Sequence, residues 1–202
     1  MDVDGRKWLN PSLIEYLKAQ TTARIEYLGK ESNMNNDRNE QIAYLYQSLS
    51  DIELLENDTE HYYALTYNWG EKNYVRRGTG GIILIDTYSD GISLHEIHHV
   101  AQSLTAGGLE FSDGGFLKNA ALNHGNGNRV GLQLYEAIAL QEIEAYQIQF
   151  SMDGVVPISG AETLKDINIE SVGSLVDDNG ESVYPTIRRL LEHLKKISLY
   201  RK

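Results

Sequence analysis

The chain has 202 residues, 41% of them hydrophobic and none of them cysteine. This length and apolar content are enough for one domain with a buried core, and the absence of cysteine excludes a disulfide scaffold and a cysteine-ligated zinc site. With 18 Lys and Arg residues against 29 Asp and Glu residues, the formal net charge is -11, which argues against nucleic acid or an anionic membrane as the main partner, because both attract positive surfaces.

The first third of the chain is predicted to contain two helices and two short strands. Pro11 stands at the tolerated first position of a helix. The polar, asparagine-rich residues 29–40 indicate a loop, from which a second helix starts at Asp37. The apolar runs at 52–55 and 61–67 are then predicted to be strands.

A further strand is predicted at residues 82–86, where the sequence Ile-Ile-Leu-Ile-Asp follows a glycine-rich turn. Two roles for this strand are compatible with its composition. It is a central strand of the core, or it lies at a sheet edge that receives an extended substrate as an added strand. The pattern favours neither role.

The next helix carries the most informative motif of the chain, His-Glu-Ile-His-His at residues 95–99. Ser93 is the predicted N-cap, and the helix should stop near Gly107, the first of two consecutive glycines. Residues four apart lie on one face of a helix, so His95 and His99 can offer two imidazole nitrogens to one ion. We therefore predict a metal site on this helix.

The chemistry expected of the motif is that of a zinc hydrolase. Two neutral imidazoles bind Zn²⁺, and the carboxylate of Glu96 acts as a general base that takes a proton from the attacking water. A catalytic zinc site needs a third protein ligand, which the motif does not contain. The glycine- and asparagine-rich residues 107–129 are predicted to be a long loop that forms a wall or lid of the cleft.

A helix over residues 130–150 is predicted to supply the third ligand as a glutamate. Glu144 shares a helix face with three apolar residues, Ala137, Leu140 and Ile148, so it is favoured over Glu142, which lies about 200° away around the helix. Four further candidates for the third ligand stay open at this point, namely Glu142, Glu136, Asp113 and His124.

The rest of the chain is predicted to be rich in strands and turns before a closing helix. The sequence Asp-Asp-Asn-Gly at 177–180 indicates a hairpin between strands at 172–176 and 182–184. Residues 186–200 then have apolar residues at helical spacing. Candidates for stabilising the oxyanion of the reaction are Tyr88, His124, Tyr135 and Tyr146.

The stretch Leu-His-Glu-Ile-His-His-Val-Ala-Gln at 94–102, followed by Glu-Ile-Glu-Ala-Tyr-Gln at 142–147, resembles the glutamate-zincin metallopeptidases. In families of that kind a Glu-Ala pair on the downstream helix carries the third ligand, so the resemblance implies Glu144 in that role. The resemblance likewise implies that the two motif histidines bind zinc and that Glu96 is the base.

More narrowly, the chain is similar to zinc-peptidase domains at the C-terminal tips of bacterial Rhs/YD-repeat polymorphic toxins and related effectors. Residues 2–6, Asp-Val-Asp-Gly-Arg, are similar to the Asp-Pro-x-Gly-Arg motif that ends the Rhs core, with valine in place of proline. Residues 1–10 are accordingly interpreted as a remnant of that boundary. This resemblance implies secretion or delivery within a larger toxin and a cognate immunity protein as a partner.

Together, these features predict one α+β, zincin-like domain over residues 1–202. A small mixed or antiparallel sheet is expected to pack on the active-site helix and on a second, ligand-bearing helix. The predicted function is zinc-dependent endopeptidase action on a protein or peptide. A rival function is that of a non-catalytic binding module held together by zinc, with His98 or His124 as a fourth ligand. A third is that of an immunity or adaptor protein with an incidental motif.

Overall fold

Six helices and a three-stranded sheet make up the computed structural model, which describes residues 7–30, 36–68, 73–123 and 130–200. The class is α+β, as predicted. The elements in chain order are α1 (Pro11–Lys30), α2 (Asn36–Asn57), β1 (Tyr63–Tyr67), β2 (Tyr74–Arg77), β3 (Ile83–Thr87), α3 (Asp90–Thr105), α4 (Leu132–Asp153), α5 (Ile169–Gly173) and α6 (Pro185–Tyr200).

The sheet is mixed and has β3 at its centre. β3 pairs in parallel with β1 and antiparallel with β2, so that Ile85 has Leu65 on one side and Val75 on the other. All three of these side chains are buried. The predicted strand at 82–86 is thus confirmed as a central core strand, and since both of its sides are paired, it is not the sheet edge that a substrate could join.

The predicted strand at 52–55 is wrong, because these residues are the last turns of α2. Ile52 and Leu55 are both buried, three positions apart on one helix face. A short apolar run fits a buried strand and a buried helix equally well, and only its neighbours distinguish the two. The predicted loop at 29–40 is also too long, since α1 continues to Lys30 and α2 begins at Asn36.

The helix that carries the histidine motif, α3, begins earlier than predicted. Its N-cap is Ser89, whose hydroxyl accepts a hydrogen bond from the Ile92 amide at 3.2 Å and donates to the Asp153 carboxylate at 2.8 Å. Ser93, the predicted cap, is buried inside the first turn. Asp153 also accepts from the Gly91 amide at 3.0 Å, so the end of α4 is joined directly to the start of α3.

Two apolar clusters lie on either side of α4. The first joins the sheet to α1, α2 and α3 and includes Ile148 of α4. The second joins α4 to α5 and α6 and includes Tyr146 and Phe150. Because α3 packs along α4, the histidine motif lies where the two clusters meet.

The tail differs from its prediction. Residues 177–180 do form the predicted tight turn, closed by the Asp177 amide donating to the Glu181 carbonyl at 2.8 Å. The flanking segments are not strands, since Val172 lies in the short helix α5 and only Val176 and Ser182 form an isolated bridge. The closing helix is confirmed, but Leu194 is 45% exposed rather than in the core. None of the helices in the described ranges is long and apolar enough to cross a membrane.

Candidate metal centre

The two outer histidines of the motif face each other on α3. His95 and His99 are one helical turn apart, and their Nε2 atoms are separated by 3.1 Å. Their rings meet edge to face with centroids 4.8 Å apart. His95 is only 6% exposed, so the pair lies at the buried side of the helix, where polar atoms need partners.

The third member of this group is Glu142 of α4. Its Oε2 lies 3.5 Å from His99 Nε2, and one ligand atom from each of His95, His99 and Glu142 lies within 4.8 Å of the other two. Glu142 is 8% exposed. Asn119, which precedes a short turn, donates from Nδ2 to the other carboxylate oxygen at 3.2 Å and holds it in place.

Two of the three separations match those expected for ligands of one tetrahedral zinc ion, and all three ligand atoms lie within 4.8 Å of one another. Zinc–nitrogen bonds of about 2.0–2.1 Å at tetrahedral angles place two ligand nitrogens roughly 3.3 Å apart. The observed separations of 3.1 Å and 3.5 Å lie on either side of that value. Two imidazoles and a carboxylate are also a donor set found in catalytic zinc sites. The three residues therefore fit a zinc ion.

The structure does not bring Glu144 to this group. Its half-exposed carboxylate accepts a hydrogen bond from Gln102 Nε2 at 3.1 Å and lies 3.7 Å from His98 Nε2. The prediction assumed that Leu140 marks the buried face of α4, but Leu140 is 55% exposed. Glu142, which is 200° further around the helix, occupies the buried face instead.

Neither Glu136 nor Asp113 reaches the group. Both residues are exposed, and neither belongs to the cluster of ligand atoms. His98, a candidate for a fourth ligand, turns away from the cluster and bonds to Asp51 and Gln102. His124 lies outside the described residues.

Glu96 lies beside the group, as the motif predicts. It lines a cavity of about 250 Å³ together with His99 and Glu142, and the opposite wall is formed by β2 and residues 116–119. Burial raises the pKa of Glu96 to about 7, with the Glu142 carboxylate adding to the rise and His99 opposing it. A carboxyl group with that pKa can both accept and return a proton near neutral pH.

The three ligand residues have strongly shifted pKa values in the metal-free protein. Burial, together with the neighbouring His99 cation, lowers the pKa of His95 to about 3. Burial also disfavours charge on His99, but the Glu142 carboxylate outweighs it and raises the His99 pKa to about 9. The same ion pair outweighs the burial of Glu142 and lowers its pKa to about 2.

These shifts predict that zinc binding displaces a proton at pH 8. His99 is then still mostly protonated, since its pKa is about 9, and only the neutral ring can bind a metal. We expect about one proton to be released per zinc ion bound, and the affinity to rise up to about tenfold per pH unit until pH 9. Isothermal titration calorimetry in buffers of different ionisation enthalpy measures the release.

His61→Gln provides the control for that titration, because His61 is paired with Asp58 away from the metal centre. The variant should release the same number of protons as the wild type. A binding enthalpy that does not depend on the buffer at pH 8 would contradict the raised pKa of His99.

Two tyrosines complete the surroundings of the group. The Tyr146 ring packs edge to face on His95 with centroids 4.8 Å apart, and its hydroxyl lies 3.0 Å from that of Tyr184. Tyr184 in turn lowers the pKa of Glu142 through hydrogen bonding. Tyr146 is one of the predicted candidates for stabilising the oxyanion. Tyr184 is predicted to lie in a strand and is not among the predicted site residues. No spacing in the sequence predicts a role for Tyr184, because only the packing of α6 on α4 places this residue beside the metal centre.

Comparisons with known proteins found no match for this chain. No model of a known protein family, no curated protein and no solved structure matches this chain. The similarity to glutamate zincins therefore rests on the histidine motif, because the clustered glutamate is Glu142 and not Glu144 of the Glu-Ala pair, and the zincin-like arrangement stays a proposal within the α+β class.

Proposed function

We propose that this protein is a zinc-dependent endopeptidase in which His95, His99 and Glu142 bind the ion and Glu96 is the general base. The observation that carries the proposal is the convergence of the three ligand atoms from α3 and α4 within 4.8 Å, next to a carboxylate whose pKa is about 7. Perturbed titratable groups gathered around a cavity are typical of active sites.

In the proposed mechanism, a bound zinc ion would polarise the scissile carbonyl and make water easier to deprotonate. Glu96 takes a proton from the attacking water and delivers it to the leaving amine. Glu142 and His99 hold opposite charges in the metal-free protein. Once His99 loses its proton, the Glu142 carboxylate is left to attract a cation. The buried Tyr146 and Tyr184 keep their hydroxyl protons, because their pKa values are raised, and can donate hydrogen bonds.

An extended peptide is the substrate that the surroundings of Glu96 favour. The wall of the cavity opposite the metal group is extended backbone, since residues 115–117 run antiparallel to β2 and the Leu117 amide donates to the Val75 carbonyl at 2.9 Å. Tyr74 and Phe116 stack edge to face on this wall with centroids 5.6 Å apart. The backbone of this wall is already paired, with β2 on one side and with residues 110–112 on the other, so it is the aromatic side chains that offer contacts to a peptide.

The proposal also includes a toxin or effector role, with a cognate immunity protein as partner, on the strength of the sequence resemblance alone. The segment that resembles the end of the Rhs core, residues 2–6, lies outside the described residues. In the rival function the protein is a non-catalytic binding module that zinc holds together. Such a structural zinc site would need a fourth protein ligand. Of the two candidates for this ligand, His98 turns away from the group, and His124 lies outside the described residues.

Metal removal tests the proposal directly. We expect purified wild-type protein to contain about one zinc ion per chain by elemental analysis and to cleave an unfolded protein such as casein, with the products identified by mass spectrometry. The chelator ortho-phenanthroline should abolish cleavage and added zinc restore it, while meta-phenanthroline, which does not chelate, should have no effect. Zinc binding without cleavage of casein or of a peptide library would favour the binding module, and no zinc binding would overturn both.

A further inference from the structure

A chain of hydrogen bonds, partly buried at Gln102 and buried at its far end, leads from the proposed metal ligand His99 to helix α2. It passes through Gln102 and His98 of α3 and ends at Asp51 of α2. We infer that Gln102, supported by His98 and Asp51, is a positioning residue that holds the ring of His99 in the orientation and tautomer required for zinc binding. This inference rests on the proposed zinc site.

The first link determines which nitrogen of His99 is free. Gln102 Oε1 lies 3.1 Å from His99 Nδ1, and an amide oxygen can only accept a hydrogen bond. Nδ1 of the neutral ring therefore carries the proton, and Nε2 keeps its lone pair. Nε2 is the atom that faces His95 and Glu142. A hydrogen bond to the outer ring nitrogen is the usual way in which proteins orient a metal-binding histidine.

The second link determines the orientation of the Gln102 amide. Its Nε2 lies 3.1 Å from a carboxylate oxygen of Glu144 and 2.9 Å from Nε2 of His98. A carboxylate only accepts hydrogen bonds, so the amide nitrogen must face Glu144 and the amide oxygen must face His99. His98 Nε2 lies beside the same nitrogen and accepts from it when His98 is neutral with its proton on Nδ1.

The third link connects the chain to a different helix. His98 Nδ1 lies 2.7 Å from Asp51 Oδ2, and Asp51 Oδ1 accepts a hydrogen bond from Gln47 at 2.8 Å. Both His98 and Asp51 are buried, with exposed fractions of 8% and 4%. Because buried polar groups are costly to leave unpaired, α2 restrains His98, His98 restrains Gln102, and Gln102 restrains His99.

The second proposed histidine ligand is not part of this chain of hydrogen bonds. The His95 ring packs against Tyr146, and Gln149 of α4 interacts with it. Loss of the chain through Gln102 should thus act on the orientation of His99 and be measurable as zinc affinity.

The experiment compares the zinc Kd of three variants with that of the wild type, measured by competition with a chromogenic chelator. Gln102→Leu removes the acceptor and should raise the Kd about 10- to 100-fold. The double variant Gln102→Glu/Glu144→Gln keeps an oxygen acceptor for His99 Nδ1 and supplies the amide donor from position 144, so its Kd should stay within about threefold of the wild type. Thr105→Val is the control, since Thr105 lies one turn further along α3 and its hydroxyl bonds only within the helix, so its Kd should be unchanged.

Urea unfolding of the metal-free variants separates positioning from simple stabilisation. An unchanged Kd for Gln102→Leu, even with a loss of stability, would overturn the inference, as would an equal loss of affinity in Gln102→Leu and in the double variant Gln102→Glu/Glu144→Gln. If Gln102→Leu does not fold, Gln102→Met, which keeps the length of the side chain, replaces it. A wild type that binds no zinc would instead refute the proposed function, and this inference with it.

Discussion

Replacing Glu142 by glutamine is expected to weaken zinc binding at least about a hundredfold, because the change removes one of three proposed ligands. Even the loss of a residue that only hydrogen-bonds to a metal ligand weakens metal binding about 10- to 100-fold. Glu142 Oε2 lies 3.5 Å from His99 Nε2 and belongs to the cluster of ligand atoms. An amide oxygen is a far weaker zinc ligand than a carboxylate. The loss should also abolish hydrolysis.

The matched control is Glu144→Gln, which makes the same chemical change two residues away on the same helix. Glu144 is half-exposed and accepts a hydrogen bond from Gln102 that a glutamine oxygen can also accept. We expect zinc affinity within about threefold of the wild type. Chelator competition and elemental analysis measure both variants. Zinc loss in Glu144→Gln with retention in Glu142→Gln would show that α4 presents its other face.

One opposing effect must be considered for Glu142→Gln. The Glu142 carboxylate is what raises the His99 pKa to about 9, so its removal lowers that pKa and reduces competition between protons and zinc. At pH 7 this recovers affinity by up to about a hundredfold, one factor of ten per pKa unit. At pH 9 about half of the His99 rings are neutral in the wild type, so this opposing effect is limited to about twofold and the measurement reports the loss of the ligand.

Glu96→Gln is expected to retain zinc and to lose hydrolysis by about 10²- to 10⁴-fold in kcat/KM, the usual contribution of a general base. Glutamine has nearly the same shape as glutamate but cannot take a proton, and Glu96 is not one of the three clustered ligands. His99→Ala, by contrast, removes a ligand and should lose both zinc and activity. A fluorogenic peptide built around a cleavage site found in casein provides the rate.

Glu136→Gln controls for loss of a negative charge near the site, because Glu136 is exposed on α4 and should change neither rate nor zinc content. Equal loss of zinc in Glu96→Gln and His99→Ala would refute the separate roles of base and ligand. Full activity of Glu96→Gln would exclude Glu96 as the base and leave the proposed mechanism without a proton acceptor.

The features that the sequence alone determined are local ones. The pairing of His95 with His99 follows from a spacing of four residues on a helix, which holds in any tertiary context. The existence of strand β3 was predictable because its compact β-branched run has turn residues before it, whereas its central position was decided by the tertiary structure. The end of α3 near Gly107 was likewise predictable from the sequence, because paired glycines close to the last apolar position end a helix.

The choice between Glu142 and Glu144 was made only by the tertiary structure. Helix α4 packs against α2, α3 and α6, so its apolar residues surround the helix and do not mark one inward face. The rotation of α4 about its axis, which separates two glutamates 200° apart, is set by those contacts. The same holds for Tyr184, which precedes α6 and bonds to Glu142, and for Asp51 of α2, which bonds to His98. Both contacts join residues distant in sequence.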